Sequence, residues 1–413
     1  MKAMILAAGT GTRLEPITTG VQKVMLPLGP KPILHHLIDE LEGAGIKEIT
    51  LLVGHLEEQI KEYFGDGSNF GVKIDYITQK ERLGTAHAVG QADFKEDFLV
   101  LNGDALVSKE AIKDVVNAHS GAATLALRKV ENPQDYGVVE LHDGKVTKII
   151  EKPKRAESDL ANIGVYAYSP AIFDAIKKTE KSKREEYEIT SSIELLIKEG
   201  EAVKGVEVSG LWLDIGSPWN WLDANKEVLG GLESDIKGTV EEGATVKGEL
   251  ILGEGSLVKS GTYIEGPVSI GKNTVVGPNA YLREFTTIGN DCHIGASVEL
   301  KNTIILAGTK VPHLSYIGDS IIGMGCNLGA GTLVGNLRLD NENVKMRIKG
   351  ELVDSGMRKL GCVIGNNTKL GLNVMVNSGR KIGNNCFVGP GVVVYKDIPD
   401  GSKTRVKQKL DER

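Results

Sequence analysis

Residues Ile270–Leu306 read IGKNTVVGPNAYLREFTTIGNDCHIGASVELKNTIIL, with an aliphatic residue at every sixth position: Ile270, Val276, Leu282, Ile288, Ile294, Leu300 and Leu306. Backward, the same phase passes through Ile264, Val258, Leu252 and Val246 to Val240. Forward, it resumes at Ile322, Leu328 and Val334, then at Ile364, Leu370, Val376, Ile382, Val388 and Val394. A six-residue period is the mark of a parallel β-helix, in which short strands stack coil on coil. Each apolar residue points into the prism, and Gly or Asn neighbours make the corners.

The ladder breaks twice. Leu306 to Ile322 is sixteen residues, which is not a multiple of six. The surplus falls in Pro312–His313–Leu314–Ser315–Tyr316–Ile317–Gly318–Asp319. A solenoid accommodates extra residues as a loop thrown out from one face, and such loops often carry binding function. A loop bearing His313 and Tyr316 is therefore expected here. Its alternative is a loop histidine with one local hydrogen bond. From about Leu337 to Leu360 the sixth positions hold Asp340 and Arg358, so this charged stretch is expected to leave the coil.

A chain of 413 residues is long enough for two or three domains. Its 51 Gly are largely those of the solenoid, and a net charge of −6 gives no general attraction for nucleic acid. MKAMILAAG runs straight into Gly and polar residues, so no signal peptide is expected, and no apolar run is long enough for a membrane span. The four cysteines (292, 326, 362 and 386) lack CxxC spacing. They are expected to be small buried solenoid residues in a reducing cytoplasm, ahead of disulfide or metal roles.

Before the solenoid, short apolar runs alternate with amphipathic ones. Met4–Leu6, Ile49–Val53, Ile74–Thr78, Phe98–Leu101 and Thr124–Leu127 read as strands. His35–Ala44, Glu57–Phe64, Ala86–Ala92, Lys109–His119 and Ile172–Lys178 read as helices. This is an α/β domain with a mostly parallel sheet, and ligands in such sheets sit beyond the carboxyl ends of the strands. LAAGTGTRL (Leu6–Leu14) follows the first strand. Small Ala7, Ala8 and Gly9 let backbone amides approach an anion, and Arg13 and Lys23 add two cations suited to phosphate. A plain tight turn with solvated cations is the alternative. Leu14 stands where a dinucleotide fingerprint has its third Gly, and no P-loop Gly-Lys-Ser/Thr follows.

QKERLGTA (Gln79–Ala86) offers a side-chain amide for a nucleobase edge, or else a polar loop capping the next helix. Asp104, ending LNGD, and Asp214, in WLDIG, are two carboxylates placed after strands, where they can share a Mg²⁺ with a triphosphate or cap helices. Tyr136–Gly137, Glu151–Lys152–Pro153 and Asn162–Tyr166 are polar strand edges able to grip a sugar.

In order and spacing, LAAGTGTRL, Lys23, QKERLGTAHA, LNGD, DYG, EKP, NIGVY and WLDIGSPWNWLDAN resemble the sugar-1-phosphate nucleotidylyltransferases over nearly all of residues 1–227. With a hexapeptide solenoid and PHLSYIGD behind them, the whole is similar to the bifunctional members that also acetylate glucosamine-1-phosphate, in their archaeal form. The resemblance implies a Rossmann-like nucleotidyltransferase domain (1–227), a linker (228–239) and a left-handed β-helix with a C-terminal tail (240–413). It implies that Arg13 and Lys23 stabilise the triphosphate of UTP or dTTP, and that backbone at Leu6, Ala7, Ala8 and Gly9 lines the nucleotide. Gln79, Gly84 and Thr85 would read the base, Asp104 and Asp214 hold Mg²⁺, and Gly137, Glu151, Lys152 and Asn162 contact the sugar phosphate. In the solenoid it implies His313 as general base toward acetyl-CoA, Tyr316 at the oxyanion or sugar, and Arg283 and Lys301 on the sugar phosphate. Asn327, Ala330 and Asn336 would lie near the sugar and acetyl-CoA.

The departures are specific. Gln22 replaces the Pro usual before the catalytic Lys. Asp214 stands where the bacterial bifunctional enzymes tend to have Asn. A family Lys beyond Asn336 meets Glu342 at its simple offset, so Lys345, three residues on, is carried over in its place. The family forms trimers through the β-helix, in the cytoplasm, and the tail after Val394 is expected to cover the end of the ladder. Two other readings stay open: a nucleotidylyltransferase with the solenoid as an oligomerisation device, and a non-catalytic sugar-nucleotide-sensing subunit.

Overall fold

The computed structural model describes residues 1–408 and divides into two compact units. The first comprises Met1–Thr10, Gln22–Met25 and Ile33–Asp214. The second comprises Gly11–Val21, Leu26–Pro32 and Ile215 onward.

The first unit is a nine-stranded sheet. Lys73–Thr78, Glu48–Val53, Lys2–Leu6 and Phe98–Asn102 lie side by side, all parallel. Their apolar residues are buried on both faces (Ile5 in one core cluster with Leu37 and Ile112, Met4 in another with Ala86 and Val89), as a helix-covered parallel sheet requires. Beyond them the sheet turns mostly antiparallel through Leu160–Tyr168, Ala123–Lys129, Val203–Glu207, Lys145–Glu151 and Gly137–His142. Strands and helices expected from the sequence are present, with ends shifted by a few residues. The helix Pro218–Gly230, with Ser217 capping Asn220 N, and the strand Asp235–Ile236 occupy part of residues 228–239.

The second unit is the left-handed β-helix, three parallel sheets of short strands. The face carrying Ile270, Ile288 and Ile305 is called face 1, that carrying Val276, Ile294 and Val311 face 2, and that carrying Leu282, Leu300 and Ile317 face 3. The inward residues form one continuous core.

The loop expected at Pro312–Asp319 does not exist. Lys310–His313 and Tyr316–Gly318 are strands in register with the preceding coil, Ile294 beside Val311 and Leu300 beside Ile317. The irregular spacing comes from loss of residues: on face 1 the inward residue after Ile288 is Ile305 and then Ile322, so two successive coils are each one residue short. Leu306 belongs to the corner and Ile305 takes its place in the core. His313 and Tyr316 are thus fixed on the solenoid wall. The Leu337–Leu360 excursion does leave the coil, as an antiparallel hairpin of Lys345–Ile348 with Glu351–Asp354. After Val394 the tail adds one more rung, Lys403–Thr404 beside Phe387–Val388. Residues 409–413, at the end of that tail, lie outside the described residues.

The four cysteines are free and buried. Three of them complete a polar ladder along one corner. Ser256 Oγ, Thr274 Oγ1, Cys292 Sγ, Thr309 Oγ1, Cys326 Sγ, Thr368 Oγ1 and Cys386 Sγ each donate to a backbone carbonyl of the next coil. Burial pushes the thiols of Cys292 and Cys326 up to about 11, so they are inert donors. Cys326→Ser keeps the rung to Gly365 O and is expected to leave the melting temperature nearly unchanged. Cys326→Val strands that carbonyl and should cost about 1–3 kcal/mol, read as a lower denaturation midpoint.

Candidate active sites

In the first unit the strand Lys2–Leu6 delivers Ala7 and Ala8, both buried, and then Gly9, where a Cβ would meet nothing within 4 Å. Gln22 holds this turn. Its Nε2 donates to Ala7 O (2.7 Å) and Gly9 O (3.1 Å), and its Oε1 accepts from Val24 N (2.7 Å). The Pro-to-Gln departure therefore substitutes side-chain hydrogen bonds for a fixed φ and leaves Lys23 buried, ion-paired with Asp104. Asp214 comes beside it: Trp212–Asp214 pairs antiparallel with Ala105–Val107, and Asp214 faces Ala105, the residue after Asp104. Among the described residues no three His, Cys, Asp or Glu side chains group to hold a metal by themselves. Two neighbouring carboxylates suit a hard cation that takes its other ligands from phosphate and water. Arg13 lies in the second unit, within Thr12–Leu14, one turn of 3₁₀-helix.

Gln79 is buried, and its Nε2 lies 3.1 Å from His87 Nδ1. Gly84 has φ +115°, and a Cβ there would stand 2.4 Å from Tyr187 O. Its loop is stitched to Tyr187 by Tyr187 N→Leu83 O (2.7 Å) and Ala86 N→Tyr187 O (2.8 Å), while Ile189 N donates to Thr85 Oγ1 (2.9 Å).

Strand register sets Glu151, Gly137 and Asn162 in a row, Gly137 between the other two. A Cβ at Gly137 would lie 3.2 Å from Glu151 Oε2 and 3.6 Å from Asn162 Nδ2, so the glycine keeps the cleft between them open. Asn162 Nδ2 donates to Tyr166 Oη at 2.7 Å. Burial, then the charge of Glu188, raises the Glu151 carboxyl above its ordinary value. Lys152 is exposed at φ +42°.

Sequence reasoning passed over the segment Ser182–Thr190. Arg184 Nη1 lies 3.5 Å from Glu151 Oε1 and 3.4 Å from Glu188 Oε1, and Thr190 Oγ1 donates to Glu151 Oε2 (3.2 Å). This segment backs both the Gly84 loop and the Glu151 cleft. Its only sequence signal was a charge cluster, KSKREEYE, that reads as solvated surface.

On the β-helix, coil spacing stacks the candidate residues into columns. Ala296 is beside His313, Glu299 beside Tyr316, and Lys301 beside Gly318. Asn336 Nδ2 donates to Tyr316 Oη (3.1 Å) and to Asp319 Oδ2 (2.5 Å), Asn302 Nδ2 donates to Asp319 Oδ1 (2.9 Å), and Lys301 Nζ is 3.9 Å from Asp319 Oδ2. Arg283 Nη1 reaches Glu299 Oε1 at 3.1 Å on the same face. Burial, then the Asp319 charge, raises the Tyr316 phenol, so it stays a donor. His313 ends its strand at an exposed corner between faces 2 and 3, and Ser315 Oγ donates to its carbonyl (2.8 Å). Ala330 shares the next corner of that edge, where Gly331 N bonds Leu314 O. Asn327 is on face 2 beside Lys310. Lys345 is separate: it is on the hairpin, lining a cavity of about 650 Å³ with Arg338, Arg347, Arg380 and Tyr395.

Gly318 is what lets the Tyr316–Asn336 pair sit flat on the wall. A Cβ there would lie 2.5 Å from Tyr316 Oη and 2.8 Å from Asn336 Nδ2. Gly318→Ala is expected to displace these side-chain ends by about 1 Å and to lower the activity of this site on the order of 10²-fold, with little change in melting temperature.

A turn of small residues at a strand end with paired carboxylates, and a β-helix with its own polar cluster, are the two candidate sites, and the class of protein they belong to is a transferase. The comparisons agree. The Nucleotidyl transferase family model matches residues 2–230, the GMPPB C-terminal domain model 264–378, and the Bacterial transferase hexapeptide (six repeats) model 361–396. A Bifunctional protein GlmU of Methanococcus maripaludis is 47% identical, covering 99% of this chain and 98% of the relative. A Bifunctional sugar-1-phosphate nucleotidylyltransferase/acetyltransferase of Sulfurisphaera tokodaii is 43% identical, covering 98% and 100%. A UDP-glucose pyrophosphorylase crystallised with UDP-glucose is 25% identical with a TM-score of 0.51, over 56% of this chain and 99% of that one. The chain belongs to the nucleotidyl transferase family, and within it to the bifunctional sugar-1-phosphate nucleotidylyltransferase/acetyltransferases. Among the described residues no helix is long and apolar enough to cross a membrane.

Proposed function

We propose that the chain makes UDP-N-acetylglucosamine in two steps. The β-helix transfers acetyl from acetyl-CoA to glucosamine-1-phosphate, with galactosamine-1-phosphate as a second acceptor. The N-terminal site then joins N-acetylglucosamine-1-phosphate, or glucose-1-phosphate, to the uridylyl group of UTP and releases pyrophosphate; dTTP is the alternative nucleotide.

For nucleotidylyl transfer, the sugar phosphate oxygen attacks the α-phosphorus in line, and the protein aligns reactants and offsets charge. Arg13 and Lys23 neutralise the triphosphate against backbone amides of Leu6–Gly9. Gln79, Gly84 and Thr85 meet the base. Gly137, Glu151, Lys152 and Asn162 hold the sugar phosphate. Asp104 and Asp214 would hold a Mg²⁺, which supplies charge neutralisation on the phosphates.

For acetyl transfer, His313 takes a proton from the sugar amine, whose nitrogen attacks the acetyl carbonyl. The thiolate of CoA leaves as the tetrahedral intermediate collapses. The Tyr316 hydroxyl donates to the developing oxyanion. Arg283 and Lys301 face the sugar phosphate, Asn336, Asn327 and Ala330 the sugar and acetyl-CoA, and Lys345 is a further substrate contact. The observation that carries this reading is the Lys301–Asp319–Asn336–Tyr316 network, half-buried polar chemistry centred on the buried Asp319.

A homotrimer through the β-helix is supported by its uneven faces. On face 1 the outward Ile304 (0%) and Ile321 (1%) are already buried, whereas face 3 exposes a column of Leu333 (48%), Met375 (42%) and Val393 (36%). Four free buried cysteines suit a reducing, cytoplasmic setting. The substrate assignment is tested by initial rates with UTP and dTTP against glucose-, N-acetylglucosamine- and N-acetylgalactosamine-1-phosphates, with Mg²⁺ and with chelator. The reading requires highest kcat/KM for UTP with N-acetylglucosamine-1-phosphate and loss of activity in chelator. A preference for dTTP with glucose-1-phosphate would overturn it.

A further inference from the structure

Within the second unit, three successive carbonyl oxygens of the segment after the Gly-rich turn are each met by a side chain from the last coils of the β-helix. Glu15 O accepts from Lys381 Nζ (2.8 Å), Pro16 O from Asn384 Nδ2 (2.9 Å) and Ile17 O from Asn366 Nδ2 (3.1 Å). Two of these donors also serve the solenoid. Asn366 Oδ1 accepts from Met324 N and Asn384 Oδ1 from Asn366 N, repeating the rung in which Asn290 Oδ1 accepts from Lys272 N. At Asn366 and Asn384 the amide nitrogen is turned outward onto the segment instead.

Lys381 departs from its column. It follows Ile304, Ile321 and Val363 at the outward positions of face 1, and those three are apolar and buried. Burial lowers its ammonium to about 8, opposed by the charges of Asp397 and Glu15. A lysine whose folded pKa lies below its unfolded one costs stability at pH 7, and the cost is relieved only as pH rises past the folded value. Keeping a cation there needs a reason other than stability. The segment it grips is closed on itself by Thr18 Oγ1→Gly11 O (2.9 Å), and Gly20 is close enough to Asn366 that a Cβ would lie 3.3 Å from Nδ2. Arg13 lies inside that closed segment.

We propose that the last coils of the β-helix clamp residues 15–17 so as to hold Arg13 in its working position, making nucleotidylyl transfer dependent on Lys381, Asn366 and Asn384. The proposal rests on the reading of Arg13 as a triphosphate contact. The three are positioning residues: they act through the backbone of the segment and not on the substrate.

The test uses full-length Lys381→Met, Lys381→Arg and Asn366→Asp, the last retaining the acceptor for Met324 N while removing the donor to Ile17 O. Lys381→Met is expected to raise the KM for the nucleotide on the order of 10-fold. It should leave the KM for the sugar phosphate and the rate of acetyl transfer unchanged and should not lower the melting temperature at pH 7. Lys381→Arg should recover most of the loss, and Asn366→Asp should reproduce it. Wild-type nucleotide kinetics in both Lys381→Met and Asn366→Asp would overturn the clamp. So would parallel loss of both activities with a lowered melting temperature, the mark of a contact that serves only the fold. A wild type that releases no pyrophosphate would fail the reading of Arg13 itself, and the clamp with it.

Discussion

Replacing His313 by alanine is expected to lower acetyl transfer by roughly 10²–10⁴-fold while pyrophosphate release continues at the wild-type rate. An imidazole at an exposed corner can accept the amine proton. Its strand is anchored by the core residue Val311, and the turn after it by Ser315, not by the imidazole. The variant should therefore fold, and the loss should appear in kcat. Tyr316→Phe removes the hydroxyl that accepts from Asn336 and should show a smaller loss at the same site. Thiol release from acetyl-CoA, followed beside pyrophosphate release in one preparation, separates the two activities. Unchanged thiol release in His313→Ala would assign the base elsewhere.

The second large effect is at Lys23. Lys23→Met is expected to lower nucleotidylyl transfer on the order of 10²–10³-fold and to leave acetyl transfer unchanged. The ammonium is buried, and its partner Asp104 is one of the two carboxylates assigned to the metal. Methionine keeps the stem packed and removes only the charge. Lys152→Met, at an exposed position, should cost far less. Pyrophosphate release measured for the two variants decides the ranking, and equal losses would contradict it.

Much of this was legible because it is periodic or local. The six-residue phase gave the β-helix, and small residues and carboxylates at strand ends marked Ala7–Gly9 and Asp104 as candidates. The hairpin at 337–360 showed as charge on core phase. The misread stretch, Pro312–Asp319, shows why spacing alone is ambiguous. Two coils shortened by one residue each and one coil lengthened by four leave the same phase shift over that interval, and only strand register separates them. The Arg184–Glu188 support was missed because it reaches the Glu151 cleft across more than thirty residues of sequence, and nothing local marks it. Gln22 read only as a departure from the usual Pro, since its compensation is three hydrogen bonds visible only in space. The grip of Lys381 on Glu15 joins residues 366 positions apart, beyond any pattern within the chain.

One reaction tests the central claim most directly. Full-length protein is given glucosamine-1-phosphate, acetyl-CoA, UTP and Mg²⁺, and thiol and pyrophosphate are followed together. Two working sites in one chain require thiol release from the start and pyrophosphate release that rises after a lag as N-acetylglucosamine-1-phosphate accumulates. Pyrophosphate without thiol, from a folded protein, would contradict the account and leave the β-helix a scaffold.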